Sequence, residues 1–451
     1  MIVIVAVVAY VETHRPAAQA QAQYLAVYPG PAGPVNSDHL VGGDVLAIAK
    51  GSPDMSALEQ FIAYMMSPYV QQLYLNYTGF IPVDTNAYGQ ASASNNVVPT
   101  IYSPSNATVT IYYYDDITPT DASFVQNTII ATFESEFPNI HVHYINEQAS
   151  DIVSGIEALE SAATNGNISE PVVMSIDNLD VGVLFYGGYL ANLTSAEPKL
   201  VPSDIIKSIQ EVTQYEEKVF GGIYFITERV NIPLVWVNYT ALKNAGIDSL
   251  PSNLTQLMTD AKILYQKYGV GMVNFQGHGG ASTATELYQW MVQFGGNPLN
   301  FNDTGDVNAI WYLANLSKYF SPEYKTSYWA TYKGLASNKY TIMDCQWPGS
   351  VNLTALGMKL VNQSDNVDQV SEQAINEGVF LRTPVPWITE WQTLMDQAWT
   401  YLIEDGHGTN YTNIYNELSS MNHSLYEYLL SNYNSTVAQE YEKGEFQPLL
   451  V

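Results

Sequence analysis

The side chains in this chain that could do chemistry are carboxylates, carboxamides and tryptophans standing just after strand-like runs. Asp115 follows Thr108 to Tyr114 (TVTIYYY), Asp177 and Asn178 end Pro171 to Ile176, and Gln276 and His278 follow Val270 to Phe275. Trp347 ends the run from Tyr340 to Gln346, and Trp387 and Trp391 open a helical pattern with one apolar stripe. Planar hydrogen-bonding groups and flat rings suit non-covalent binding of a small solute, whose polar groups lose water on entry and each need a new partner. Covalent and metal chemistry find less support. Cys345 is the only cysteine, so an internal disulfide or a multi-cysteine metal cluster is excluded. His278 lies between glycines with no second His or Cys at ligand spacing. Each candidate also has a plainer reading. Asp115 and Asp177 equally suit caps of the following helices, Trp391 on an apolar stripe suits a core, and Tyr114 is one of 34 tyrosines.

The elements that must position these residues alternate. After a Ser/Asn/Pro-rich linker the order is strand, helix from Asp121 to Phe137, strand from His141 to Ile145, helix from Asp151 to Thr164, and strand. That alternation predicts a parallel α/β layer. The front of the chain, Tyr24 to Tyr88, reads as strand, Gly42-Gly43 turn, strand, helix, helix, strand. Ser52-Pro53 and Ser67-Pro68 are the expected N-cap and first positions of the two helices, and Pro82 ends the second.

Composition bounds the function. At 451 residues the chain is long enough for two domains with cores, and 47% apolar content excludes a disordered or fibrous class. Forty-four acidic residues against 16 basic ones give a formal charge of -28, so nucleic acid and anionic lipid are poor partners, repelled rather than paired. Met1 to Val11 is an unbroken apolar run followed by a polar and Ala/Gln tract, the pattern of a signal or anchor segment over residues 1–23. Asn-x-Ser/Thr triplets recur along the chain, among them Asn76, Asn167, Asn238, Asn253, Asn410 and Asn434. Their density points to an exported, glycosylated surface.

In the front stretch, GGDVLAI, SPYVQ and TGFIPV run in order. Further on come IYYYDD, FVQNTIIATFESEFPNIHVHY, EPVVMSIDN, GGYLANL and the long run FGGIYFITERVNIPLVWVNYTALKNAGI, then YTIMDCQWPG and FLRTPVPWITEW. Together they resemble the extracellular solute-binding proteins of ABC importers, in the carbohydrate-binding family that includes the maltodextrin-binding proteins. In that family the glycine-pair segment lies about two thirds of the way along. Here it comes first, and its usual slot, between Trp347 and Arg382, lacks it.

The resemblance implies an α/β, two-lobe periplasmic-binding-protein-like (type II) fold with permuted connectivity. Lobe one would span 24–228, with the transposed segment over 24–90, a linker over 91–107 and a core over 108–228; lobe two would span 229–451. It implies no enzyme activity, no cofactor and no metal. The expected function is extracellular binding of a sugar or oligosaccharide between the lobes by a monomer attached at the cell surface, and delivery to ABC transporter permease subunits. The positions it assigns to the ligand are Tyr114, Asp115, Asp177, Asn178, Asn231, Gln276, His278, Trp347, Trp387 and Trp391, with Gly43 and Asp44 from the transposed piece. Asp44 stands where many members have tryptophan, which removes one stacking surface.

Other functions remain open on the residues alone. Another small solute, a peptide or polyol, would use the same cleft. A glycoside hydrolase needs two carboxyls about 5 to 9 Å apart across the scissile bond, and no motif supplies the pair. A glycan-coated surface protein fits the sequons and the tyrosines, while the α/β alternation and the lack of repeats oppose it.

Overall fold

The computed structural model describes residues 23–450 apart from 79, 89–97, 104–106, 302, 327–332, 347–356, 362–366 and 434. The expected signal or anchor segment over 1–22, most of the linker, Trp347 and the Asn434 sequon lie outside the described residues. No described helix is long and apolar enough to cross a membrane.

Thirteen strands are described, in two sheets with helices packed on them. In chain order they begin with β1 (Tyr24–Tyr28), β2 (His39–Ile48), β3 (Ile81–Pro82), β4 (Val109–Asp115), β5 (Ile140–Asn146) and β6 (Val172–Asp177). Then come β7 (Phe225–Asn231), β8 (Leu234–Asn238), β9 (Val273–Asn274), β10 (Ile342–Gln346), β11 (Lys359–Leu360), β12 (Val379–Leu381) and β13 (Leu449–Leu450). The first sheet runs β13-β12-β2-β6-β4-β5, with β7 added to β2 and β3 to β7. The second runs β11-β1-β8-β10-β9.

The parallel pairs β4·β5 and β4·β6 follow from the alternation of strand and helix. Both β7 and β8 are buried along their whole length. That burial explains why FITERVN and LVWVN show no polar alternation. Only Ile232 and Pro233 separate them, so the chain passes from one sheet to the other within a few residues.

The front stretch divides between the sheets. Val45 to Ile48 pair with β6, Gly42 to Ala47 pair with β7, and the Met55–Met65 helix buries Leu58, Phe61 and Ile62 in the core below them. Tyr24–Tyr28, read from sequence as part of lobe one, instead pairs antiparallel with β8 in the second sheet. Register between segments some 210 residues apart is a tertiary choice that no local pattern encodes.

Three local expectations also change. Gly42-Gly43 is not a turn, because β2 runs straight through it. Gly43 has φ 119°, and a Cβ there would sit 2.2 Å from the Arg229 carbonyl oxygen, so glycine permits close strand approach beside a bulge. Ser52 does not cap the first helix: Asp54 is its N-cap residue, at φ 53°, and the Ser52 hydroxyl accepts from Val172 N at 3.2 Å. The long helix around residue 125 contains a π-helical turn, Val125–Ile130, between the α-helical pieces Pro119–Phe124 and Ala131–Glu136.

The C-terminal region is structural. Ile414, Leu418, Met421, Leu425 and Leu429 form the buried stripe of the Tyr411–Asn432 helix. The chain then returns to place β13 antiparallel to β12, and the Thr383 hydroxyl donates to the Gln447 carbonyl. The tail thus braces the strand that leads into Arg382.

Candidate functional site

A cleft of about 480 Å³ opens at the carboxyl ends of β4, β5 and β6. Parallel strands place their following loops together at that edge, which is where open α/β sheets offer side chains to ligands. The loop after β4 supplies Asp116, Ile117 and Thr118; the end of β5 supplies Asn146, Glu147 and Gln148; and β6 ends in Asp177. From the antiparallel side come Gly42, Gly43 and Asp44 of β2 and Asn231 at the end of β7. Phe80 and Arg382 complete the wall.

Under this wall lies a buried charge network. Arg229 is fully buried, its Nε donates to Asp44 Oδ2 at 2.7 Å, Nη2 to Asp115 Oδ1 at 3.1 Å, and Nη1 to Glu228 Oε2 at 3.1 Å. The Tyr74 and Phe80 rings lie 4.8 and 4.9 Å from the guanidinium carbon. Tyr144 donates its hydroxyl to Asp115 Oδ2 at 2.8 Å, and Ser175 donates to Glu228 Oε2 at 2.6 Å. One guanidinium cannot neutralise three carboxylates. Burial therefore raises Asp44 and Glu228 above the usual carboxylate range, with Arg229 pulling the other way. Asp116 is pushed up to about 7 by burial and by the charges of Asp177 and Asp115.

A second cation ties the two halves together. Arg382 Nη2 donates to Asp177 Oδ1 and to Asn178 Oδ1, both at 2.7 Å, while Nη1 donates to Thr285 Oγ1 at 3.2 Å. Thr285 lies on the Gly280–Gln293 helix, packed in the core of the second sheet. Nearby, Leu40 N donates to Gln289 Oε1 of the same helix at 3.0 Å.

Of the residues expected at a ligand, Gly43, Asp44, Asp177 and Asn231 border this cleft. Asp115 lies beneath it as an Arg229 partner, and Asn178 holds Arg382 and donates to the Val41 carbonyl at 3.3 Å. Tyr114 packs against the core on the other face of the sheet. Gln276 is buried next to the start of the Gly280–Gln293 helix, where its backbone N–H donates to Glu286 Oε2 at 2.8 Å. His278 is exposed, with Nδ1 3.4 Å from the Lys325 carbonyl; neither it nor Gln276 borders the cleft.

Trp387 and Trp391 are core residues. Trp391 Nε1 donates to the Pro298 carbonyl at 2.8 Å, and Trp387 packs edge-on to Phe446 with ring centroids 4.4 Å apart. An apolar helical stripe faces a core before it faces solvent, and that ordering decided both.

Sequence reasoning missed Arg229, Asp116, Asn146, Glu147 and Arg382. The signal for Arg229 was present: Glu228-Arg229 is a charged pair between the apolar residues Phe225-Ile226 and Val230, and buried charges occur in pairs or networks. Among the described residues no group of three His, Cys, Asp or Glu side chains is arranged to hold a metal ion.

No family model matches the chain, and no curated protein matches it in sequence. Solved structures do share its fold. One is the GacH receptor of Streptomyces glaucescens, studied unliganded and with acarbose and a homolog, at 15% identity and TM-score 0.51 over 73% of this chain and 100% of that one. Another is an ABC substrate-binding protein of Listeria monocytogenes in complex with cycloalternan, at 13% identity and TM-score 0.50 over 70% and 99%. A putative oligosaccharide periplasmic-binding protein from a Synechococcus species matches at 13% identity and TM-score 0.50 over 70% and 98%. The fold is therefore that of type II periplasmic binding proteins, a mixed α/β architecture that in these neighbours serves solute binding.

Proposed function

We propose that the protein captures a sugar or oligosaccharide outside the cell membrane, in the cleft between Asp44, Asp116, Asn146, Asp177 and Asn231, and presents it to the permease of an ABC importer. The observation that carries this reading is the cleft itself. Its hydrogen-bonding side chains converge from five strands onto about 480 Å³, a volume in the range of small-molecule sites. The fold shared with the acarbose- and cycloalternan-binding proteins supports the same class of ligand.

In this reading the two lobes divide near Asn231 to Leu234, with β1 joining lobe two. The front segment, from β2 through the Pro68–Thr78 helix, takes the place that its relatives fill from the middle of the chain, which preserves the packed layer with altered connectivity. Buried network members such as Arg229 position the wall, and Arg382 with Asp177 latches it. Calorimetric titration with mono- and oligosaccharides, peptides and polyols tests the reading. Saccharide binding at one site supports it, and binding confined to peptides would reassign the solute.

A further inference from the structure

We propose that the solute of the Asp44–Asp177 cleft is a saccharide carrying a basic nitrogen, bound as its cation. This rests on the carbohydrate reading above and narrows it. Four carboxylates border the cavity: Asp44, Asp116, Glu147 and Asp177. Two have counter-charges, Asp44 with Arg229 Nε and Asp177 with Arg382 Nη2, each at 2.7 Å. Among the described residues neither Asp116 nor Glu147 forms an ion pair. Arg382, the one cation on the described wall, is engaged by Asp177 and Asn178.

An independent observation points to a donor on the ligand. Asn231 is only 8% exposed and borders the cavity, yet among the described residues its Oδ1 has no hydrogen-bond partner. A buried acceptor left open costs free energy, and a ligand N–H or O–H would recover it once the Asn231 side chain turns toward the cavity it borders.

A neutral sugar could satisfy Asn231 with a hydroxyl. It would also strip water from Asp116 and Glu147 without bringing any compensating charge. An ammonium group brings up to three donors and the missing charge together, and charge-assisted hydrogen bonds are the stronger kind. An acidic saccharide would meet four carboxylates and be rejected. Burial and neighbouring anions already hold Asp116 near 7, the direction a nearby cation would reverse.

Paired probes separate this inference from the broader reading. The glucosamine β-1,4 dimer, its di-N-acetylated form and cellobiose share one backbone and differ in charge. Each is titrated calorimetrically into the full chain at low ionic strength, at about pH 7, where the sugar amine keeps much of its proton and Asp116 is partly ionised. The amino dimer should bind at least about tenfold tighter than either neutral dimer, and the preference should shrink in molar salt. Asp116→Asn and Glu147→Gln should each reduce the preference.

Equal or tighter binding of the acetylated dimer or cellobiose would overturn the basic-nitrogen inference and leave the carbohydrate reading standing. Binding of none of the three would overturn it too, and the wider saccharide panel would then judge the broader reading. An amino-dimer preference undiminished in the Asp116→Asn/Glu147→Gln double variant would also overturn it, since the charge would then be read elsewhere.

Discussion

Arg382 Nη2 stands 2.7 Å from Asp177 Oδ1, and Nη1 of the same guanidinium reaches Thr285 Oγ1, on the helix packed in the core of the second sheet, at 3.2 Å. In the proposed two-lobe reading, a side chain that bridges the two sheets beside the cleft would couple closure to the shape of the site. Arg382→Ala should therefore weaken saccharide affinity by about tenfold or more and enlarge the ligand-free radius of gyration in X-ray scattering. Arg382→Lys cannot reproduce the fork and should recover little of either.

Arg229 is the counter-charge for Asp44, Asp115 and Glu228 at once. Removing it strands three buried carboxylates. Arg229→Met should cost about 3–5 kcal/mol in urea unfolding, more than its lost packing alone would explain. Raising the buffer acidity should recover part of that loss as the stranded carboxylates protonate.

Stability should peak on the acid side of neutrality. Burial raises Glu216 to about 8, and raises Asp116 and Asp180 to about 7 with Asp177 adding to the effect. A folded pKa above the unfolded one gives stability that is full below the unfolded value and lost as pH rises through the folded value. His39 works in the opposite sense: burial lowers it to about 4, so stability falls as pH drops from 6.5 toward that value. Glu377, 3.9 Å away and partly exposed, is too distant to offset that burial. Three carboxyls lose stability over the span in which His39 alone gains it, so the thermal midpoint should be highest at about pH 4 and decline toward pH 8. Glu216→Gln should flatten the decline on the alkaline side.

Core and site tryptophans separate by what they change. Trp391→Phe removes the donor to the Pro298 carbonyl and should cost about 2–3 kcal/mol in urea unfolding, while ligand affinity stays unchanged. A fall in affinity without a fall in stability would return Trp391 to the site.

The sequence reached some of this and not the rest, for physical reasons. The run Pro171 to Ile176 marks a buried strand because burial on both faces leaves no alternation, and Val172–Asp177 is buried along nearly its whole length. The stripe at Leu58, Phe61 and Ile62 fixed which helix face is buried. Asp177 and Asn231 close β6 and β7, whose ends locate their own side chains, whereas Asp44 lies inside β2 and is placed near the cleft only by the resemblance. Asp116 and Glu147 could not be placed, since loop residues just past a strand can point either way until packing decides. Trp387 and Trp391 carry a residue type suited to stacking on sugars, but type does not reveal which face of the helix meets solvent. The pairing of β1 with β8 joins distant stretches and left no trace in either. The asparagine at 238 shows the same limit for the sequons: it is fully buried, its Nδ2 donating to Asn338 Oδ1 at 2.7 Å, so in the fold that triplet is closed to a glycan.

The most direct test pairs a saccharide identified by calorimetric screening with the variant Asn231→Ala. Because Asn231 Oδ1 has no hydrogen-bond partner among the described residues, its removal should leave the unfolding midpoint nearly unchanged. The account predicts single-site saccharide binding that Asn231→Ala weakens by about tenfold. No saccharide bound at all, or a bound saccharide indifferent to Asn231→Ala, would contradict it.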